Sequence, residues 1–329
     1  MTQQNNQKIH SRIIGTGGYL PENLMTNADL EKIVDTSDEW IRERTGIEQR
    51  YIVADNQTTS DLAYQASLQA LDMAKITASE LDLIIVATTT PDKIFPSTAT
   101  ILQQKLGVSG PPAFDVQAVC TGFIYGLSVA DQFIKTGMMK KVLVVGAESM
   151  SRITDWTDRN TCVLFGDGAG AVVLEASAEE GILSTHIHAA GEHEELLHVP
   201  SGVSKLPKTD ALSETKMQMK GNEVFKVAVN TLSRIAKETL QANNITKENL
   251  DWLVPHQANM RIIKATAKKL GLEDRQTVVT VNKHANTSSA SVPMALNEAV
   301  RDGRIQKGQL LLLEAFGGGF TWGSALIKF

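Results

Sequence analysis

The chain has 329 residues, 42% hydrophobic and 21% charged, well above the hydrophobicity at which chains stay disordered. Its 32 Lys+Arg against 37 Asp+Glu give a net charge of −5, which excludes a partner chosen by bulk positive charge, such as non-specific DNA. No apolar run reaches the ~18 residues of a membrane span, and the length exceeds the roughly 250–300 residues that one core usually serves, so two lobes are expected.

The chain opens on MTQQNNQKIH, a polar stretch without the apolar segment of a signal peptide, read as a loose tail over residues 1–8. From Ala66 an amphipathic helix leads through an Ile-Thr turn to an apolar strand, Leu83–Ala87, and then to a helix ending in Lys105-Leu106-Gly107. A strand over Ala113–Val119 gives way at Cys120 to a helix that ends at Gly137, followed by the strand Val142–Val145. The run GDGAGA (Gly166 to Ala171) leads into a strand, Val172–Leu174. A dinucleotide fingerprint needs strand, glycine turn and then helix, so a nicotinamide site is disfavoured here. Four histidines follow, His186, His188, His193 and His198, with no cysteine or carboxylate spacing to complete a tetrahedral metal set; they read as surface and loop residues.

From Asn230 the pattern repeats. An amphipathic helix, an Ile-Thr turn and the strand Trp252–Pro255 precede a helix ending in Lys269-Leu270-Gly271. The interval from Asn286 to Gly303 equals that from Cys120 to Gly137, 17 residues, and the strand Leu310–Leu313 follows as Val142–Val145 does. The chain is therefore a duplication of helix and strand units, read as βαβ units in buried parallel sheets, with halves over 9–180 and 181–329. Each helix ends in glycine, as a left-handed cap requires.

The duplication locates a site. In open α/β sheets ligands sit beyond the carboxyl ends of strands, where the next helices begin. Cys120 stands at such a junction, Asn286 is its mate in the second copy, and His256 closes the strand Trp252–Pro255. A thiolate at a helix N-terminus is stabilised by the dipole, which predicts a lowered pKa for Cys120. His256 and Asn286 side-chain N–H groups can donate together to one carbonyl oxygen of a substrate. The run Phe316 to Phe320 (FGGGF) offers backbone free of side chains, which a substrate can approach closely. On the helix Met260–Leu270, Arg261, Lys264, Lys268 and Lys269 share one face, a local basic surface suited to an acidic partner. The two cysteines, Cys120 and Cys162, cannot build a disulfide framework and fit a reduced, cytosolic compartment.

Together these residues resemble the thiolase superfamily, and more closely 3-oxoacyl-[acyl-carrier-protein] synthase III. The stretches that carry the resemblance are TSDEWIRERTGI (Thr36 to Ile47), DVQAVCTGF (Asp115 to Phe123), FGDGAGAVVL (Phe165 to Leu174), GNEVFK (Gly221 to Lys226), VPHQANMRI (Val254 to Ile262), NTSSASVP (Asn286 to Pro293) and FGGGFTWGSAL (Phe316 to Leu326). The resemblance implies an α/β thiolase-like fold of two duplicated halves in α-β-α-β-α layers. It also implies a Cys120, His256, Asn286 triad with an oxyanion hole at the N–H groups of Cys120 and Gly318. CoA would enter at Trp40, Arg44 and Arg159, with Asn222 and Asn259 on the pantetheine arm. Phe316 would line the acyl pocket, Phe95 would reach into the acyl pocket of the partner subunit of a homodimer, and Arg261, Lys264 and Lys268 would dock acyl carrier protein. No metal or other cofactor is implied; acyl-CoA and malonyl-acyl-carrier-protein are substrates. The implied reaction is acyl transfer to Cys120, acetyl being the expected primer, followed by decarboxylative condensation. A related acyltransferase or secondary-metabolite condensing enzyme is the alternative on the same scaffold, and release of carbon dioxide distinguishes them. A non-catalytic partner-binding subunit would have no use for the intact Cys120. No role is assigned to the polar loop Glu192–Met217.

Overall fold

The computed structural model describes residues 8–207 and 212–329. The tail expected over 1–8 lies outside the described residues except for Lys8, as does part of the loop Glu192–Met217. In chain order the first half runs β1 (His10–Tyr19), β2 (Asn23–Thr26), α1 (Asn27–Leu30), α2 (Asp38–Thr45), β3 (Gln49–Ile52), α3 (Thr59–Ala74), β4 (Leu83–Ala87), α4 (Thr98–Lys105), β5 (Ala113–Val116), α5 (Gly122–Lys135), β6 (Lys141–Glu148), α6 (Arg159–Cys162) and β7 (Gly168–Ser177). The second runs β8 (Ile182–Ala189), β9 (Leu197–His198), β10 (Gln218–Met219), α7 (Gly221–Ala242), β11 (Trp252–Pro255), α8 (Met260–Leu270), α9 (Val281–His284), α10 (Ser291–Arg301), β12 (Leu310–Gly317) and β13 (Thr321–Lys328).

Two sheets carry the fold, and their strand orders match. The first is β1-β7-β6-β4-β5 and the second β8-β13-β12-β11, extended past β11 by a parallel bridge from Leu253 to Thr277. In each, two antiparallel pairings (β1 with β7 and β7 with β6; β8 with β13 and β13 with β12) lead on to parallel pairing (β6 with β4 and β4 with β5; β12 with β11). The sheets are therefore mixed, where the apolar strands had suggested parallel ones. The reason is physical: a strand covered by helices on both faces is apolar throughout, whichever way its neighbours run.

Alternation within the strands sorts the layers. Leu83 and Ile85 of β4 face α5 and α10, which lie between the two sheets with Phe123, Leu127, Val292 and Leu296 buried. Ile84 and Val86 face outward onto Leu62, Ala66 and Leu102 of α3 and α4. Leu253, Leu312 and Leu326 face outward onto Ala236, Leu240, Ala267 and Leu270 of α7 and α8. The result is the five-layer α-β-α-β-α arrangement. Gly137 and Gly303, which end the matched helices, both adopt left-handed backbone (φ 78° and 81°), as a helix cap of this kind requires. Within GDGAGA, a Cβ on Gly170 would stand 2.6 Å from the Met294 nitrogen, so this glycine lets α10 seat directly on β7.

Candidate active site

The strand expected over Ala113–Val119 stops at Val116, and the chain enters a tight 3-10 turn, Val119–Thr121, before α5 begins. Val119 is left-handed (φ 48°), an uncommon conformation for a β-branched residue, and the turn sets Cys120 at the head of α5. Ala285, immediately before Asn286, is also at positive φ (58°). The duplication thus extends to the backbone kink that presents each residue.

Cys120, His256 and Asn286 meet in one cavity of about 270 Å³. All three are almost fully buried. His256 continues the register of β11, its N–H donating to the Glu314 carbonyl at 2.8 Å. Its Nδ1 lies 2.6 Å from Ser291 Oγ, and that oxygen also accepts the Gln257 N–H at 3.3 Å, so Nε2 is the ring nitrogen left for the cavity. Asn286 Oδ1 accepts the Ser288 N–H at 2.9 Å, which leaves its amide N–H groups as the end available to a ligand.

The electrostatics differ from the expectation of a lowered thiol pKa. Burial pushes the Cys120 thiol up to about 12; a hydrogen bond from Ser288 opposes this, and the charge of Glu148 adds to it. Burial likewise holds His256 down at about 3. At neutral pH both groups are uncharged. The helix dipole is present, but loss of water around a fully enclosed sulfur outweighs it.

From the triad the cavity runs past Phe316, Leu232, Val224, Asn222 and Asn259 to Trp40 and Arg44. Trp40 lies 4.0 Å under the Arg159 guanidinium and 5.9 Å from that of Arg44, a flat cationic stack at the mouth. Asn259 caps α8: its Oδ1 accepts the Arg261 N–H at 2.8 Å and its Nδ2 donates to the Arg44 carbonyl at 3.2 Å, so much of its amide is already engaged. Phe316 packs on Phe320 at a ring separation of 4.6 Å. Phe95 stands apart, 83% exposed at the tip of the 94–96 loop. Arg261, Lys264 and Lys268 are exposed on the outer face of α8 and form no ion pair among the described residues. In the glycine run it is Gly317 that lines the cavity, and a Cβ there would stand 2.7 Å from the Cys120 nitrogen. Gly318 packs instead beside Leu197 and Val119. His186 and His188 do not join the site; they reach Glu238 of α7 at 3.3 and 2.9 Å.

Sequence reasoning missed Ser288, Ser291 and Glu148, and within the FGGGF run it named Gly318 and gave Gly317 no separate role. The serines lie in the NTSSASVP stretch already singled out, which was the available signal for two of them.

Two family models match: 3-oxoacyl-[acyl-carrier-protein] synthase III over residues 114–191 and the C-terminal part of the same enzyme over 240–329. A beta-ketoacyl-[acyl-carrier-protein] synthase III of Xanthomonas campestris pv. campestris is 64% identical over 323 residues, spanning 98% of this chain and 99% of that protein. The chain belongs to the 3-oxoacyl-[acyl-carrier-protein] synthase III family. Among solved structures, the synthase III of Aquifex aeolicus superposes with a TM-score of 0.91 at 49% identity, covering 97% of this chain and 100% of that one. A priming beta-ketosynthase from the R1128 polyketide pathway superposes with a TM-score of 0.92 at 34% identity, over 97% and 96%.

Proposed function

We propose that Cys120 takes an acyl group from acyl-CoA and that His256 and Asn286 then drive its condensation with malonyl-acyl-carrier-protein. Membership of the family, with identity above 60% over nearly the whole chain, makes this protein an acyltransferase and the initiating condensing enzyme of fatty acid synthesis. The residue roles are those the resemblance implies, and the geometry of the cavity supports them.

In the first half-reaction Cys120 Sγ attacks the thioester carbonyl and the bond to the CoA sulfur breaks, the thiol proton leaving with CoA. Backbone N–H groups of Cys120 and Gly318 hold the oxyanion, with Gly317 keeping the approach clear. The neutral resting thiol suits this: the proton departs as the sulfur bonds, and no separated ion pair has to be buried. In the second half-reaction the malonyl C–C bond breaks to release carbon dioxide, and its electron pair becomes an enolate on the carrier thioester. The enolate carbon attacks the acyl carbon and the bond to Cys120 Sγ breaks, the departing sulfur taking up a proton from solvent to restore the neutral thiol. A Ser291 hydroxyl donating to His256 Nδ1 leaves a hydrogen on Nε2, so Nε2–H and an Asn286 N–H hold the enolate oxygen together. The low pKa of His256 keeps it neutral, a donor that carries no charge of its own.

CoA's adenine stacks at Trp40 and Arg159 and its phosphates meet Arg44, while Asn222 and Asn259 contact the pantetheine arm. The exposed face of Arg261, Lys264 and Lys268 docks the acidic carrier protein, and exposed Phe95 reaches the partner's acyl pocket in a cytoplasmic homodimer. Acetyl is the primer, and no metal or redox cofactor takes part. No described helix is long and apolar enough to cross a membrane.

The observation that carries this reading is the meeting of a cysteine from one half with a histidine and an asparagine from the other at the end of one tunnel. Incubation with a panel of acyl-CoAs, followed by intact mass, tests it. The expected result is one adduct of acyl mass, most abundant with acetyl-CoA and absent from Cys120→Ala. An adduct that persists in Cys120→Ala, or no adduct with any acyl-CoA, contradicts it.

A further inference from the structure

We infer that Glu148 is a positioning residue of this site, its buried carboxyl group orienting Asn286 through Ser288. Glu148 ends β6 and is fully buried. One oxygen accepts the Thr89 N–H at 3.0 Å and the hydroxyls of Thr90 at 2.7 Å and Thr88 at 3.3 Å; the other accepts the hydroxyls of Ser288 at 3.0 Å and Ser289 at 2.9 Å. The Thr89 N–H can only donate, whereas the Ser288 and Ser289 hydroxyls each share one hydrogen with a second acceptor, the Cys120 sulfur and the Ala87 carbonyl at 2.8 Å. Burial holds its carboxyl above the usual carboxylate range, with the hydrogen-bond donors opposing that rise. No cation among the described residues pairs with it, and the titratable group whose ionisation its charge affects is Cys120.

Two consequences meet at the reacting atoms. Ser288 offers its hydroxyl to Glu148 and its N–H to Asn286 Oδ1, so the carboxylate, the serine and the amide form one chain. That chain fixes which end of Asn286 faces the cavity. Ser288 is itself at positive φ (49°), a conformation that its two hydrogen bonds help to hold. The same charge opposes ionisation of Cys120 across the turn. Glu148 touches no substrate; it acts through Ser288, Asn286 and the field at the sulfur.

The claim about the thiol is independent of the proposed reaction, whereas the claim about Asn286 rests on it, and one set of variants separates them. Alkylation of Cys120 by iodoacetamide, followed by peptide mass from pH 7 to 10, reads the thiolate fraction in wild type and in Glu148→Gln. Removing the charge is expected to speed alkylation about tenfold at a given pH. Acyl transfer from acyl-CoA should stay within a few-fold of wild type, while condensation falls about tenfold or more. Thr90→Val, which removes one donor and keeps the shape, should shift alkylation the same way by less, and it serves if Glu148→Gln does not fold. Alkylation profiles superimposable on wild type in the folded variants overturn the electrostatic claim. Wild-type condensation in Glu148→Gln overturns the positioning claim. A wild-type enzyme that acylates but never condenses sinks the reading of Asn286 and leaves the thiol result standing.

Discussion

A neutral thiol facing a neutral imidazole is the resting pair at this site, and enclosure is the cause. Cys120 is held at about 12 and His256 at about 3, so forming a thiolate and an imidazolium at rest would place two charges where neither has water. Glu148 is a buried carboxylate with donors on both oxygens; Glu314, on β12 beside His256, has none on either among the described residues. Burial alone pushes the Glu314 carboxyl up to about 8. In the unfolded chain it ionises near 4.5, so between these values the folded state holds one more proton and stability falls as pH rises. His256, depressed on folding, contributes its own change below about 6.5 and leaves the range above clear. From pH 6.5 to 8 Glu314 should therefore lower stability by up to about 1.4 kcal/mol per pH unit. Thermal melts of wild type and Glu314→Gln should diverge across that range, the variant losing less as pH rises; parallel curves would show that Glu314 is already ionised when folded.

At the scale of elements, α8 serves two masters. Its inner face, with Ile262, Ile263, Ala267 and Leu270, is buried, and its first turn is capped by Asn259 three residues beyond His256. Its outer face carries Arg261, Lys264 and Lys268 with no carboxylate partner among the described residues, on a chain whose net charge is −5. Exposed charges contribute little to stability, so reversing them tests docking without unfolding. The double variant Lys264→Glu/Lys268→Glu should raise KM for malonyl-acyl-carrier-protein about tenfold and leave acylation by acyl-CoA near wild type, with the difference shrinking at high salt. Equal loss with both substrates would place the fault in the helix and not in docking. The helix itself was readable from its period and its Gly271 cap. The sheets were readable only in part, since doubly covered strands such as β6 and β12 look alike whether their neighbours are parallel or antiparallel.

Across the whole molecule, the duplication was the most informative feature of the sequence. Equal spacing from Cys120 and from Asn286 to a capping glycine placed both at equivalent helix starts, and the matching strand orders of the two sheets bear this out. What stayed hidden were the relations between distant positions. Glu148 and Ser288 lie 140 residues apart, and no local pattern marks either as the other's partner. The thiol pKa was misjudged for the same reason: the helix start at Cys120 is visible in sequence, but the burial that overrides it is a property of packing. Gly318 was chosen from a run of three glycines, and only the close approach of Gly317 to the Cys120 nitrogen separates the roles of the two.

Because the two halves contribute different residues, acylation and condensation should be separable. Enzyme loaded with acetyl on Cys120 and freed of acetyl-CoA, then mixed with malonyl-acyl-carrier-protein, tests the account most directly. It predicts one carbon dioxide and one 3-oxoacyl-carrier product per acetyl-enzyme in wild type, and a stable acetyl-enzyme with product formation slowed about a hundredfold or more in Asn286→Ala. Loss of the acetyl group to an alcohol or amine without release of carbon dioxide would contradict it.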